Sequence, residues 1–268
     1  MKIIRYADSA GEIHHGALND NGSANRIMGD IFGEFVVTSE AAVVHKLLAP
    51  VQPLNIFCIG LNYRRHAEET GAEIPKFPVL FMKGTNALQN PGDPILLPTH
   101  LASTQVDYEC ELVVVIGRHC KNVHRDDALN YVFGYTCGND VSARDWQKDW
   151  GGSQWCRGKT FDTFAPLGPC LVMPDEISNP NDLKIKTTLN GHLVQDWNTS
   201  DMIFDVPTLI EFLSGSMTLL PGSLIFTGTP QGVGAARNPP LWLKDGDTVT
   251  VEIEKIGRLI NPVENERG

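Results

Sequence analysis

The sequence predicts a strand-rich α+β fold with few helices. Apolar residues recur in short alternating or continuous runs bounded by Gly, Pro, Asn and Asp, the pattern of strands and turns. These runs are not separated by regular helical segments, so no βαβ rhythm is present and helical spacing is confined to a few short stretches. Across 268 residues, 42% are hydrophobic and 20% charged, which supports a sizeable core and leaves no room for a long disordered tract.

Lys2 to Tyr6, Ile13 to Leu18 and Phe35 to Val37 alternate in the strand manner, and Ala41 to Leu48 reads as a helix. Residues 1–50 are therefore expected to form a small β-rich N-terminal domain and residues 51–268 the main domain. Pro50 and Pro53 favour extended chain in a linker between them. Asn55 to Gly60 reads as a buried strand. Asn62 to Thr70 reads as a short helix stopped by Gly71, which sets His66 and Glu69 on one helical face. Val79 to Lys83 and Tyr108 to Gly117 follow as strands, with a helix expected from Asp126 to Val132 and a further strand from Phe133 to Asn139. Asn190-Gly191 signals a two-residue hairpin after the Leu183 to Leu189 strand. Asp205 is a fair N-cap for a helix from Pro207 to Leu213, and the Val249, Val251, Ile253 alternation closes the domain.

A formal net charge of −10 argues against a nucleic-acid or anionic-membrane surface and requires a locally positive site for any anionic substrate. Six cysteines without a CxxC pair, mostly inside apolar runs, read as reduced thiols. With no signal-peptide block, transit-like segment or membrane-length apolar run in view, the cytoplasm is the expected compartment.

The chemistry concentrates in Asp107-Tyr108-Glu109-Cys110-Glu111, where two glutamates at i and i+2 enter a very apolar strand and face one side of it. Packed side by side, they must protonate or share a cation. An exposed acidic strand face explains the pair about as well. Asp140, at the end of the Gly134 to Asn139 run, supplies a third carboxylate and shifts the balance toward a metal. Oxygen-only ligation favours Mg²⁺ or Mn²⁺, with Ca²⁺ as a substitute, over zinc. Cys110 points to the opposite face and into the core.

Gly60-Leu61-Asn62-Tyr63-Arg64-Arg65-His66, Asp107 to Leu112, Gly138 to Asp145, Gly158 to Thr163 and Thr227-Gly228-Thr229-Pro230 occur in that order. Together they resemble the fumarylacetoacetate hydrolase family from Leu54 to Val263. The resemblance implies the mixed β-sandwich or roll of that family's C-terminal domain, a homodimer, and a metal at Glu109, Glu111 and Asp140. It also implies a lid helix carrying His66 as base with Glu69 orienting it, hinged at Gly60 and Gly71. Lys159 would lie near the substrate carboxylate or enolate, and Arg144, Gln147 and Thr229 would bind substrate. The founding hydrolase adds a fourth carboxylate from an earlier segment; no residue matches it here, so water or substrate would complete the shell.

The implied substrate is a small 2-oxo or enol acid, either dicarboxylic or of acylpyruvate type, chelating the cation so that positive charge lies where an enolate develops. Hydrolysis of a C–C bond is the leading expectation. Oxaloacetate tautomerisation or decarboxylation and isomerisation of a 2-hydroxyhepta-2,4-diene-1,7-dioate are alternatives, and a non-catalytic calcium-stabilised binding domain is a rival of another class. On the residues alone, Arg144 could instead pair with Asp145 or Asp149, and Lys159 could be a solvated surface lysine. No Gly-x-Ser-x-Gly elbow supports a serine hydrolase, and nothing activates Cys58 or Cys156 as a nucleophile. The Gly-rich Thr227 to Gly234 stretch lacks the Lys-Ser/Thr of a P-loop, which excludes that mode of nucleotide binding.

Overall fold

A computed structural model describes residues 1–267. Among the described residues it is strand-rich and mixed, with two large sheets, a two-stranded ribbon of Val106–Asp107 and Ser142–Ala143, and three short α-helices: α1 (Arg64–Thr70), α2 (Trp155–Lys159) and α3 (Val206–Ser216). The larger sheet runs, in spatial order, through Phe35–Ala41, Ala24–Gly29, Ile13–Leu18, Lys2–Ala7, Ala165–Val172, Val132–Asn139, Cys110–Ile116, Leu224–Phe226, Ile56–Gly60 and Val79–Lys83. The smaller sheet orders His192–Asn198, Lys184–Leu189, Thr248–Ile253, Gly257–Asn265 and Ile95–Leu97.

The strand Cys110–Ile116 is buried along its whole length and separates two apolar cores. Its even residues, Cys110, Leu112, Val114 and Ile116, join Ile185, Val251, Ile253 and Leu259 of the smaller sheet. Val113 and Val115 on its other face join Phe226, Val141 and Phe164. This two-sided burial explains a run too apolar to alternate. It also places Cys110 in the core, on the face opposite the glutamates, as expected.

The first strand pairs Lys2 with Val172 and Ile3 with Leu171, so the N-terminal meander continues the larger sheet. The segment from 49 to 55 crosses between the two regions without strand or helix. The helix expected over Ala41 to Leu48 is absent. Phe35–Ala41 is a strand, and Lys46–Leu48 pairs with the free edge of Arg5 to Ala7. Edge pairing outweighs local propensity there. The helix expected from Asp126 to Val132 is a 3₁₀ helix, Arg125–Tyr131, tightened at its start where Asp127 N–H donates to His124 C=O at 3.0 Å. The Asn190-Gly191 hairpin and the Asp205 cap, which accepts from Thr208 N–H, form as read.

α2 carries Lys159 into the interior and needs a close approach to do so. A Cβ on Gly158 would lie 2.5 Å from both Ala143 O and Gln147 N, so only glycine fits. Gly158→Ala should lower the denaturant midpoint by the equivalent of about 1–3 kcal/mol, the usual cost of overpacking. An unchanged midpoint in chemical denaturation would show that α2 can shift freely.

Candidate active site

Glu109, Glu111 and Asp140 are buried, and each offers an oxygen so placed that the three lie within 4.8 Å of one another. Adjacent strands bring them together, because Cys110 registers with Asn139 and Asp140 N–H donates to Glu109 C=O at 2.9 Å. Asn139 Oδ1 accepts from Glu109 N–H at 3.0 Å, and Gly228 N–H donates to Glu111 Oε2 at 2.7 Å, which fixes one oxygen of Glu111.

Two buried lysines flank the cluster. Lys159 Nζ lies 2.6 Å from Asp140 Oδ2 and 3.1 Å from Glu109 Oε2. Lys83 Nζ donates to Val141 C=O at 2.9 Å and Lys159 C=O at 2.6 Å, and lies 2.6 Å from Asp140 Oδ1. Its approach to Oδ1 is poorly aligned, so that oxygen is buried without a directed donor. Burial opposes the charge on Glu109, but Lys159 and Arg144 outweigh it and hold the carboxyl well below its ordinary range. Burial, reinforced by Asp140 and Glu109, pushes Glu111 well above that range. Burial opposes protonation of Lys159, but Asp140 and Glu109 keep it charged. Burial lowers Lys83.

An oxygen-only donor set, an undirected oxygen on Asp140 and a carboxyl forced toward neutrality on Glu111 together fit a hard divalent cation.

The expected substrate residues share a cavity of about 240 Å³, lined among others by His66, Glu109, Arg144, Gln147, Lys159 and Thr229. His66 Nδ1 lies 2.7 Å from Glu69 Oε1, and Glu69 Oε2 accepts from Gly232 N–H at 2.9 Å, which ties α1 to the Gly-rich loop. Gly71 caps α1 in the left-handed region at φ 65°. Gly60, expected as a hinge, has another role. A Cβ there would lie 2.3 Å from the Trp155 ring, so the glycine admits α2.

Arg144 pairs with neither Asp145 nor Asp149. Its Nε and Nη2 donate to Asp107 Oδ2 at 2.9 and 2.8 Å, Nη2 lies 2.7 Å from Glu109 Oε1, and Nη1 donates to Gln147 Oε1 at 3.0 Å. Gln147 follows a turn opened by Asp145, whose carboxylate accepts from Trp146 N–H at the start of the π-helix Trp146–Trp150.

Sequence reasoning passed over Asp107, Lys83 and Gln195. Asp107 sits two residues before Glu109, so the same alternation that joins Glu109 to Glu111 could have found it. Lys83 ends an apolar strand, a weak signal. Gln195 gave none.

Mg²⁺ or Mn²⁺ should raise the melting temperature by about 5–10 °C at a concentration near a hundred times the dissociation constant. Glu111 sets the pH dependence. With its folded-state value raised, the cation-free protein is favoured below the ordinary carboxylate range and loses that advantage as pH rises through the raised value. A cation takes the place of the proton, so the increment should grow as pH rises above the ordinary carboxylate range and vanish in Glu111→Gln. Calorimetric melts across that rise in pH would refute the site if the increment were flat or persisted in the variant.

Comparison with known proteins agrees with this geometry. The family model described as the fumarylacetoacetate hydrolase C-terminal domain matches residues 55–264. A fumarylacetoacetate hydrolase domain-containing protein 2 homolog from Dictyostelium discoideum is 52% identical over 227 residues, covering 81% of this chain and 74% of the relative. An oxaloacetate tautomerase from Xenopus laevis is 49% identical over 218 residues, covering 81% of this chain and 68% of the relative. That protein's name carries the label mitochondrial, a compartment other than the cytoplasm expected above. The crystal structure of a 5-carboxymethyl-2-hydroxymuconate delta-isomerase from Mycobacterium smegmatis superposes with a TM-score of 0.87 at 38% identity, covering 99% of this chain and 100% of that one. Strands, helices and the buried carboxylates thus converge on one conclusion: the chain belongs to the fumarylacetoacetate hydrolase family.

Proposed function

We propose that this protein is a divalent-cation-dependent enzyme that moves a proton between the keto and enol forms of a small 2-oxo dicarboxylic acid, with oxaloacetate the first substrate to test. The observation that carries this reading is the His66–Glu69 pair opening on the same cavity as Glu109 and Lys159. A carboxylate can only accept, so Glu69 selects the tautomer with the proton on Nδ1 and leaves the lone pair on Nε2. Nε2 is then the atom that takes the proton from the substrate carbon and returns it.

Bound at the three carboxylates, Mg²⁺ or Mn²⁺ would supply positive charge beside the developing enolate oxygen. Lys159, kept charged by Asp140 and Glu109, adds a second positive charge at the same side of the cavity. Gln147 commits its Oε1 to Arg144 and keeps its Nε2 hydrogens for a substrate oxygen. The tautomerase names of relatives such as the Xenopus laevis protein support this choice of reaction.

Hydrolysis of an acylpyruvate is the second reading. The same Nε2 lone pair would serve a water molecule, and a structural neighbour from Exiguobacterium antarcticum, at 36% identity and a TM-score of 0.88, is named a fumarylacetoacetate hydrolase. Isomerisation of a hydroxydiene-dioate asks for the same proton transfer further along a conjugated chain. A homodimer stays part of the proposal, to be checked by light scattering.

Purified protein should speed the loss of enol absorbance from oxaloacetate, and chelator should abolish the rate. His66→Ala should cut turnover by about 10²–10⁴-fold while leaving the cation-induced melting shift intact. Chelator-resistant turnover, or a His66→Ala enzyme as fast as the parent, would reject this reading. Release of pyruvate from acetylpyruvate with no effect on oxaloacetate would put hydrolysis first.

A further inference from the structure

We propose that Gln195 is a positioning residue that holds the Thr229 hydroxyl so that its proton is offered to the ligand, and that the ligand atom seated there is an oxygen able to accept it. The inference rests on the substrate class proposed above, because it says which atoms of an ionised 2-oxo acid the loop around Thr229 accepts.

Gln195 lies on the smaller sheet's edge strand His192–Asn198 and is buried. Its Oε1 accepts from Cys110 N–H at 3.1 Å and from the Thr187 hydroxyl at 2.8 Å. Its Nε2 donates to Pro230 C=O and to Thr229 Oγ1, both at 2.9 Å. An amide's oxygen and nitrogen look alike in shape, so its orientation has to come from its partners. Here two partners leave no choice. A backbone N–H can only donate and a backbone carbonyl can only accept, so Cys110 requires the oxygen on its side and Pro230 requires the nitrogen on the other.

The consequence passes to Thr229. Its oxygen receives a hydrogen from Gln195, and among the described residues no acceptor takes its own hydroxyl proton. Thr229 is 4% exposed and lines the cavity, so that proton is directed to a ligand. A carboxylate or enolate oxygen takes that proton, whereas a ligand group that only donates would leave it buried without an acceptor. Gln195 also fixes where the donor stands. Cys110 lies between Glu109 and Glu111, and Gly228, next to Thr229, donates to Glu111, so the loop is pinned to the carboxylate strand at both points.

The test is a double-mutant cycle read by calorimetric titration of oxalate, a small dianion that offers acceptors alone, into the Mn²⁺-loaded protein. Thr229→Val and Gln195→Met should each weaken oxalate about tenfold, the scale of one hydrogen bond to a charged group. The double variant should lose no more than either single one, Thr229→Ser should bind as the parent does, and affinity for Mn²⁺ alone should be unchanged. A double variant weakened about a hundredfold, or a Gln195→Met protein that binds oxalate as the parent does, overturns the proposal. Should Gln195→Met fail to fold because Cys110 N–H and Pro230 C=O lose their partners, Gln195→Glu takes its place. A carboxylate there would accept the Thr229 hydroxyl proton itself and withdraw it from the ligand. Adding Thr229→Val to that variant should therefore cost nothing further, and a further tenfold loss overturns the inference. Oxalate binding needs no turnover. A cycle that closes as expected in a protein inert toward oxaloacetate would reject the function and keep the positioning role, while active protein with additive losses would do the reverse.

Discussion

Three carboxylates within one small buried volume are the constraint on which the remainder of the molecule depends. Like charges at such separation repel strongly in a medium that screens poorly, so the site exists only because positive groups surround it. Lys159 and Arg144 lower Glu109, Lys83 stands against Asp140, and Glu111, with a single backbone N–H at one oxygen, is left above its ordinary range. The protein neutralises two of the three carboxylates with its own side chains. The third is the one whose charge a divalent ion would restore.

That arrangement dictates the architecture around it. Glu109 and Glu111 enter on the central strand, Asp140 on its neighbour, Lys83 on the far edge strand, Lys159 on α2 and the Gly228 amide on a loop. None of these segments is close to the others in sequence, and each has been shaped to reach the cluster. Gly158 and Gly60 are the clearest cases: the first lets α2 lie against the backbone of Ala143 and Gln147, and the second leaves room on the strand Ile56–Gly60 for the Trp155 ring of α2. Rigid support of this kind is what keeps charged groups in place without water to solvate them.

Much of this was legible in the sequence, and the limits of legibility are physical. Period-two spacing put Glu109 and Glu111 on one face and Cys110 on the other, and turn chemistry located the Asn190-Gly191 hairpin. The strand run ending at Asp140 offered the third carboxylate, and ordered motifs, more than any local pattern, led to Lys159, Arg144, Gln147 and Thr229, which line the cavity. Ala41 to Leu48 misled because a free strand edge decides its structure, and nothing local records that edge. The ion-pair partner of Arg144 was hidden for a related reason. Its near neighbours Asp145 and Asp149 were visible, but its partner Asp107 lies across the sheet pairing of Val106 with Ala143. Lys83 and Gln195 are ordinary residues in ordinary strands until the fold supplies their partners.

The cavity's polar groups follow one rule, in which the protein engages one end of each and leaves the other with a definite polarity. Glu69 holds His66 Nδ1 and frees the lone pair of Nε2; Arg144 holds Gln147 Oε1 and frees the amide hydrogens; Gln195 donates to Thr229 Oγ1 and leaves its proton free. A base, a neutral donor and a hydroxyl donor are thereby set before any ligand arrives, and none of them must reorganise as negative charge develops. Such a set does not by itself dictate hydrolysis, isomerisation or tautomerisation, since each passes through an enolate beside the same donors. What differs is whether the freed lone pair of His66 meets a substrate carbon or a water molecule. On the proposed reading, these donors would stabilise the negative charge in every case, and the shape of the substrate above Nε2 would decide which bond changes.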